Sequence, residues 1–376
     1  MSHSRLRLAG RCGPRLAVLS VAALLPSAAL VLPMSSSGGL AGLSQAALRP
    51  LVSDAVQVSS SAAPPTQDQC AAVHRRCFAP DPFRASYGLD ALPDGGAGRT
   101  IAVIDSFGNP DMEHDLHVFD QAFGFTALCG EQTVSGAACT GLGTFSRLNL
   151  GGQVFHPIPG KGTTGQEDSS GWAIETALDV EWAHVTAPKA NIVMVTTPTA
   201  ETLGVQGFPS IFKGIDYLAN NHLADVISMS LGSGEEAFGS PQNLNNFEKT
   251  LQNARAQHVT VVASSGDSGP ENSYKTPVKN PRPIPGQSVG FPASSPLVTA
   301  AGGTYLCTDP LTGKSIASNA PGGRCASFVG QREVAWRGSG GGFSHVFARP
   351  DYQSALPASA FTGTGRGVPD LSLPVG

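Results

Sequence analysis

The sequence predicts an α/β fold built on a mostly parallel sheet, and three observations support this prediction. Short apolar runs typical of buried strands alternate with segments in which apolar residues recur at helical spacing. The 376 residues are 41% hydrophobic and only 14% charged, enough apolar material for one large domain or two small ones. The 45 glycines and 29 prolines predict long structured loops. Such alternation is typical of parallel sheets with helices on both faces.

The predicted elements alternate through the central part of the chain. Strands are predicted at residues 100–105, 192–196, 226–230 and 259–263. The polar stretch at residues 111–123 is compatible with a helix, apolar residues allow one at residues 172–184, and apolar residues recur at helical spacing at residues 210–220 and 244–254. In sheets of this kind the functional residues gather beyond the carboxyl ends of the strands. Asp267 follows one of those ends.

The first forty residues have the pattern of a secretory signal peptide and a following small-residue segment. Four arginines within the first 15 residues precede an apolar run at residues 16–32. A transmembrane anchor is the alternative, but Pro26 interrupts the run and no basic cluster follows it. Residues 41–78, rich in serine, alanine and proline, are interpreted as a linker or short pro-segment, and residues 79–376 as the main domain. The sequence thus predicts a secreted protein that is free of the membrane once the signal is removed.

Cysteine usage agrees with an oxidising compartment. Cys12 lies in the signal region, and six cysteines remain: Cys70, Cys77, Cys129, Cys139, Cys307 and Cys325. The simplest connectivity pairs sequence neighbours, although six cysteines allow fifteen pairings. A zinc site is the alternative, but no C-x-x-C or H-E-x-x-H spacing supports it.

The segment at residues 264–270, S-S-G-D-S-G-P, has two interpretations. It looks like the nucleophile segment of a trypsin-like protease, which would make Ser268 the attacking residue. Trypsin-like domains are all-β, however, whereas a helical pattern and a buried strand precede Gly266, as in a βαβ unit. The second interpretation, in which Asp267 is the functional residue, therefore fits the predicted fold better.

Glu175 and Asp179 form the second candidate site. They are four residues apart in a predicted helix, so both carboxyl groups lie on one face and repel each other slightly. Two neighbouring carboxyl groups share a proton and titrate as a unit, which suits acid or base chemistry in acidic medium. Taken alone, the pair is better explained as part of a solvated helix face.

Six segments in order resemble the sedolisin family of serine-carboxyl peptidases over residues 79–376. They are E-x-x-L-D at 175–179, A-P-K-A at 187–190, I-S-M-S-L-G at 227–232, A-S-S-G-D-S-G at 263–269, F-P-A-S-S-P at 291–296 with G-G-T at 302–304, and S-G-G-G-F-S at 339–344. The resemblance implies a subtilisin-like three-layer fold and a secreted endopeptidase, expected to be a monomer, that acts on proteins or peptides. The net charge of −4 gives no support for nucleic-acid binding.

Carried over to this chain, the family pattern makes Glu175 the general base that takes the proton of the attacking serine. Asp179 resembles the acid that orients this base. Asp267 resembles the oxyanion donor, a protonated carboxylic acid that hydrogen-bonds the tetrahedral intermediate. A carboxylate base and a neutral aspartic acid both select acidic conditions, and neither role requires a histidine.

The chain departs from the family pattern near its last residues. The family's nucleophile stands in a G-T-S segment after the strand expected here at residues 365–372, and no G-T-S occurs in the 376 residues. The nucleophile helix and the calcium ligands are expected beyond residue 376, with no metal ligands within this chain. Two hypotheses follow: an acid endopeptidase whose sequence continues, with the 376 residues alone inactive, or a catalytically dead secreted protein that binds peptides. The codons after codon 376 distinguish them.

Overall fold

A computed structural model of the chain describes residues 19–21, 55–61, 63–151, 169–198, 207–267, 269–270, 287–314, 325, 330–360 and 363–375. The strands are β1 (Leu19–Val21), β2 (Ala55–Gln57), β3 (Thr100–Ser106), β4 (Phe145–Asn149), β5 (Asn191–Thr197), β6 (Val226–Met229), β7 (Ser233–Gly234), β8 (Thr260–Ser264), β9 (Gly290–Phe291), β10 (Thr299–Leu306), β11 (Glu333–Ala335), β12 (Gly342–Ala348), β13 (Gly365–Val368) and β14 (Leu371–Pro374). The helices are α1 (Gln67–Ala72), α2 (Pro80–Tyr87), α3 (Met112–Phe123), α4 (Ser169–Thr186), α5 (Phe208–Asn220) and α6 (Pro241–Ala256).

The central sheet is mostly parallel, as the sequence predicts. Its strands run in the order β11-β10-β8-β6-β3-β5-β4, and β14 also pairs with β10. All of these pairs are parallel except β10 with β11. The chain leaves β3 toward β4 and β5 on one side and later places β6, β8 and β10 on the other. The topology therefore reverses around β3, where parallel α/β sheets build their sites.

Helices cover both faces of this sheet and make three layers. Helices α3 and α4 lie on one face and helices α5 and α6 on the other, and neighbouring residues of β3 point alternately to the two. Val103 of β3 joins a core cluster with Leu116 of α3 and Val180 of α4. Ile104, the next residue, packs in the larger cluster that contains α5 and α6. The predicted α/β fold is confirmed.

One segment near the last residues differs from its prediction as a single strand at residues 365–372. It forms β13, antiparallel to β12, and then β14, parallel to β10. Pro369 separates the two strands and has no N–H to donate to a ladder. The fully buried Arg366 donates to the backbone oxygen of Val298 and to Asp370 Oδ2, which also accepts the N–H of Ala300. These contacts fix the change of direction.

Three disulfides join sequence neighbours: Cys70 to Cys77, Cys129 to Cys139, and Cys307 to Cys325. These are the pairs that proximity predicts. Strand β1 pairs with β2 and lies within the residues interpreted as a signal segment. Among the residues that the structure describes, no helix combines the length and the apolar composition needed to cross a bilayer.

Candidate active site

Helix α4 carries the two carboxyl groups that the sequence singled out. Glu175 and Asp179 lie one helical turn apart, where the helix packs against β3 and β5. Only 1% of Glu175 is exposed, and the buried Trp172 and Val180 belong to the same helix. A solvated helix face therefore does not describe Glu175.

Asp179 is fixed by a residue from another part of the chain. Ser230 Oγ donates a hydrogen bond of 2.8 Å to Asp179 Oδ1. Burial raises the pKa of Asp179 to about 7, and the hydrogen bond from Ser230 counteracts part of this rise because it stabilises the carboxylate. Burial thus favours the protonated form of Asp179 in acidic solution.

We expect replacement of Ser230 by alanine to raise the pKa of Asp179, because the ionised form loses its donor. The expected rise is roughly 0.5–1 unit, measured by ¹³C NMR titration of aspartate carboxyl carbons. Ser228→Ala, two residues earlier in β6, is the matched control and should leave this pKa unchanged. A pKa that is unmoved or lowered in Ser230→Ala would contradict the assigned hydrogen bond.

Ser230 was not assigned a role from the sequence. It follows the last residue of β6, and the S-M-S-L-G segment that contains it is the available signal. Asp105 is fully buried near the carboxyl end of β3, the strand beside β6. The carboxyl edge of the sheet thus gathers more polar groups than the sequence indicated.

Asp267 lies beyond the carboxyl end of β8. This strand is the neighbour of β6, with Ala263 in register with Met229, so Asp267 and Ser230 follow adjacent strand ends. The side chain of Asp267 is partly exposed, and Gly266 before it has a φ of 110°, a conformation that favours glycine. Ser268, the residue of the trypsin-like interpretation, lies outside the described residues, but the parallel sheet excludes a trypsin-like fold.

His345 and possible metal ligands were the remaining candidates for this edge of the sheet. The exposed His345 contacts Glu236 through Nδ1 at 3.1 Å. In the described ranges, no group of three or more histidine, cysteine, aspartate or glutamate residues is arranged to hold a metal ion.

Comparisons with known proteins agree with this architecture. Residues 165–374 match the model of the subtilase family (Peptidase_S8). Kumamolisin from Bacillus sp. (strain MN-32) is 29% identical over 293 residues, which cover 75% of this chain and 43% of kumamolisin. Tripeptidyl-peptidase 1 from Homo sapiens is 28% identical over 244 residues, 61% of this chain and 38% of the relative.

A solved structure matches as well. Pseudomonas sedolisin, a serine-carboxyl proteinase complexed with two molecules of pseudo-iodotyrostatin, superposes with a TM-score of 0.55 at 23% identity, over 80% of this chain and 71% of that one. At this identity the likeness concerns the fold. The chain belongs to the subtilase family. Its similarity to kumamolisin and tripeptidyl-peptidase 1 supports the resemblance to the sedolisin family of serine-carboxyl peptidases. The chain spans less than half the length of these two curated relatives.

Proposed function

We propose that this chain supplies the base, the acid and the oxyanion donor of a secreted, acid-acting serine-carboxyl endopeptidase. Glu175 is the base, Asp179 the acid that supports it, and Asp267 the donor to the oxyanion. The nucleophilic serine is assigned to none of the 376 residues. Proteins or peptides are the proposed substrates, and a calcium ion, proposed from the family resemblance alone, is assigned no ligands here.

The observation that carries this proposal is the pair of carboxyl groups on α4. Because burial favours the protonated form of Asp179, Glu175 can be the ionised member of the pair in acidic solution. An ionised Glu175 accepts the hydroxyl proton as the serine oxygen attacks the peptide carbonyl. The same proton then passes from Glu175 to the leaving amine, so the base is regenerated over the cycle.

Asp267 stabilises the negatively charged oxygen of the transition state. Negative charge develops on the carbonyl oxygen when the tetrahedral intermediate forms, and a protonated carboxyl group can donate a hydrogen bond to it. This donor is lost when Asp267 ionises, so its role restricts activity to acidic solution, in agreement with a carboxylate base. The partial exposure of Asp267 permits contact with a substrate.

The test is digestion of a denatured protein by the product of the intact gene, including any codons after codon 376. We expect cleavage at about pH 3–5 and little at pH 8, because the donor role of Asp267 is lost once its carboxyl group ionises. At still lower pH the base Glu175 is protonated and cannot accept the serine proton. The 376 residues alone should hydrolyse nothing. Turnover by them would place the nucleophile within the chain, and an intact product without activity at any pH would favour the peptide-binding alternative.

A further inference from the structure

The turn that carries Asp267 is held from both sides by the glycine-rich segment at residues 338–342, about 70 residues further along the chain. On the side before Asp267, Gly340 N donates to the carbonyl oxygen of Gly266 at 2.6 Å. Ser265 Oγ returns a hydrogen bond of 2.8 Å to the carbonyl oxygen of Gly340, and Ser265 is 4% exposed. Two reciprocal hydrogen bonds thus attach this side of the turn to Gly340.

The other side of the turn is attached to the same segment. Gly269 N donates to the carbonyl oxygen of Gly338 at 2.8 Å. Gly338 in turn lies against the indole of Trp336, so closely that a Cβ at Gly338 would meet the ring at 2.3 Å. The glycine segment is therefore packed in place by Trp336.

Gly340 leaves no space between the two segments. A Cβ at this position would lie 2.0 Å from the carbonyl oxygen of Ser265 and 3.0 Å from the Cα of Gly266. Both atoms are backbone atoms of the turn, so a methyl group could be accommodated only by moving the turn. At Gly341, the next residue, the nearest atom is the carbonyl oxygen of Val368 at 3.2 Å.

We propose that Ser265 and Gly340 are positioning residues that hold Asp267 in place as the oxyanion donor. The inference rests on the proposed function, because it concerns the donor assigned there. An oxyanion donor acts only when it is preorganised to within a fraction of an ångström. Gly266 and Gly269 both have positive φ, so the turn is built from residues with wide conformational freedom. The contacts with Gly338 and Gly340 remove that freedom.

The test compares Gly340→Ala with the matched control Gly341→Ala. The first readout is the ¹³C NMR titration midpoint of the Asp267 carboxyl group in the 376-residue chain, identified by the loss of its signal in Asp267→Asn. We expect Gly340→Ala to move this midpoint by at least half a pH unit and Gly341→Ala to leave it unchanged. Equal midpoints in Gly340→Ala and the parent chain, or equal shifts in both variants, would overturn the inference.

Ser265→Ala is the milder second variant, in case Gly340→Ala does not fold. It removes one hydrogen bond and should move the Asp267 midpoint in the same direction as Gly340→Ala, while Ser265→Thr, which keeps the hydroxyl group, should restore it. Failure of threonine to restore the midpoint would contradict the role of the hydroxyl group.

The second readout is proteolysis by the intact gene product. Gly340→Ala should lower kcat about 10–100-fold with KM within twofold, because a displaced oxyanion donor affects the transition state more than the bound substrate. A rise in KM with kcat unchanged would contradict the inference. If the unmodified product has no activity, the proposed function fails, whereas the NMR titration still decides whether the glycine segment positions Asp267.

Discussion

Replacement of Glu175 by glutamine is expected to reduce proteolysis by the intact gene product about 10³-fold or more, measured as kcat/KM on a denatured protein at pH 4. Glutamine has nearly the same shape but cannot accept the proton of the attacking serine. Because glutamine fills the same volume, the change should leave the fold intact although Glu175 is only 1% exposed. The loss should therefore appear in kcat rather than in stability.

Glu131→Gln is the matched control for this experiment. Glu131 is also a buried glutamate, at 3% exposure, but it lies between α3 and β4, away from the carboxyl edges of β6 and β8. The control should keep at least half of the parent activity. Equal kcat/KM values for Glu175→Gln and the unmodified protein would remove Glu175 from the role of base, and an equal loss in the control would point to a general effect of buried glutamates.

We expect the folded 376-residue chain to lose stability as the pH rises from about 4.5 to 8. The cause is a second group of buried carboxyl groups, between α3 and α4. Burial, together with the neighbouring Asp120, raises the pKa of Glu131 to about 8. Burial, and then the charges of Asp115 and Asp120, raise the pKa of Glu181 well above its usual value.

Basic side chains also face these carboxyl groups between α3 and α4. His184 Nε2 lies 3.1 Å from Asp120 Oδ2 in full burial, and His117 Nδ1 lies 3.2 Å from Glu131 Oε2. The remaining titratable groups around them have their own partners or lie nearer the surface: Asp111, Glu113 with Arg147, His114 with Gln132, and Asp115 with Asn109. The described surroundings therefore do not neutralise all of the carboxyl groups when they ionise.

The direction in which stability changes with pH follows from the number of protons bound in the folded and the unfolded chain. A carboxyl group whose pKa is raised by folding keeps its proton in the folded chain at pH values where the unfolded chain has lost it. The contribution of Glu131 to stability is therefore fully present below its unfolded pKa of 4.5. It is lost as the pH rises toward its folded pKa of about 8. Asp225 and Asp309, whose pKa values are lowered, act oppositely, but only below about pH 4.

Urea unfolding of the 376-residue chain at pH 4.5, 6 and 8 measures this slope. Glu131→Gln should flatten it, because glutamine is neutral at every pH. Glu113→Gln, on the exposed side of α3, is the control and should shift stability equally at each pH, since Glu113 is paired with Arg147 nearer the surface. Stability that rises with pH, or a slope that Glu131→Gln leaves unchanged, would contradict the assigned cause.

Local patterns were sufficient to predict the sheet and the position of the α4 pair. The spacing of Glu175 and Asp179 fixes their relative position once the segment is helical, because residues four apart share a helix face. The strands of the central sheet were predictable because their apolar runs are short and bounded by loops. These features depend on neighbours in sequence.

Contacts between distant segments were not predictable in the same way. Ser230 meets Asp179 only because β6 is placed beside β3, and no local pattern encodes this pairing. The sequence of helix α3 is polar, yet the fold buries Asp120 against His184 of α4. The break between β13 and β14 depends on contacts of the buried Arg366 with another strand. In each case tertiary burial overrides the local pattern.

The disulfides have a consequence for the role of oxidation in folding. They close short loops, with sequence separations of 7, 10 and 18 residues, and none connects two strands of the central sheet. Closing a short loop removes less entropy from the unfolded chain than closing a long one. Thiol reduction should therefore loosen the three loops that the disulfides close, while the order of the strands, which is set by noncovalent pairing, stays the same.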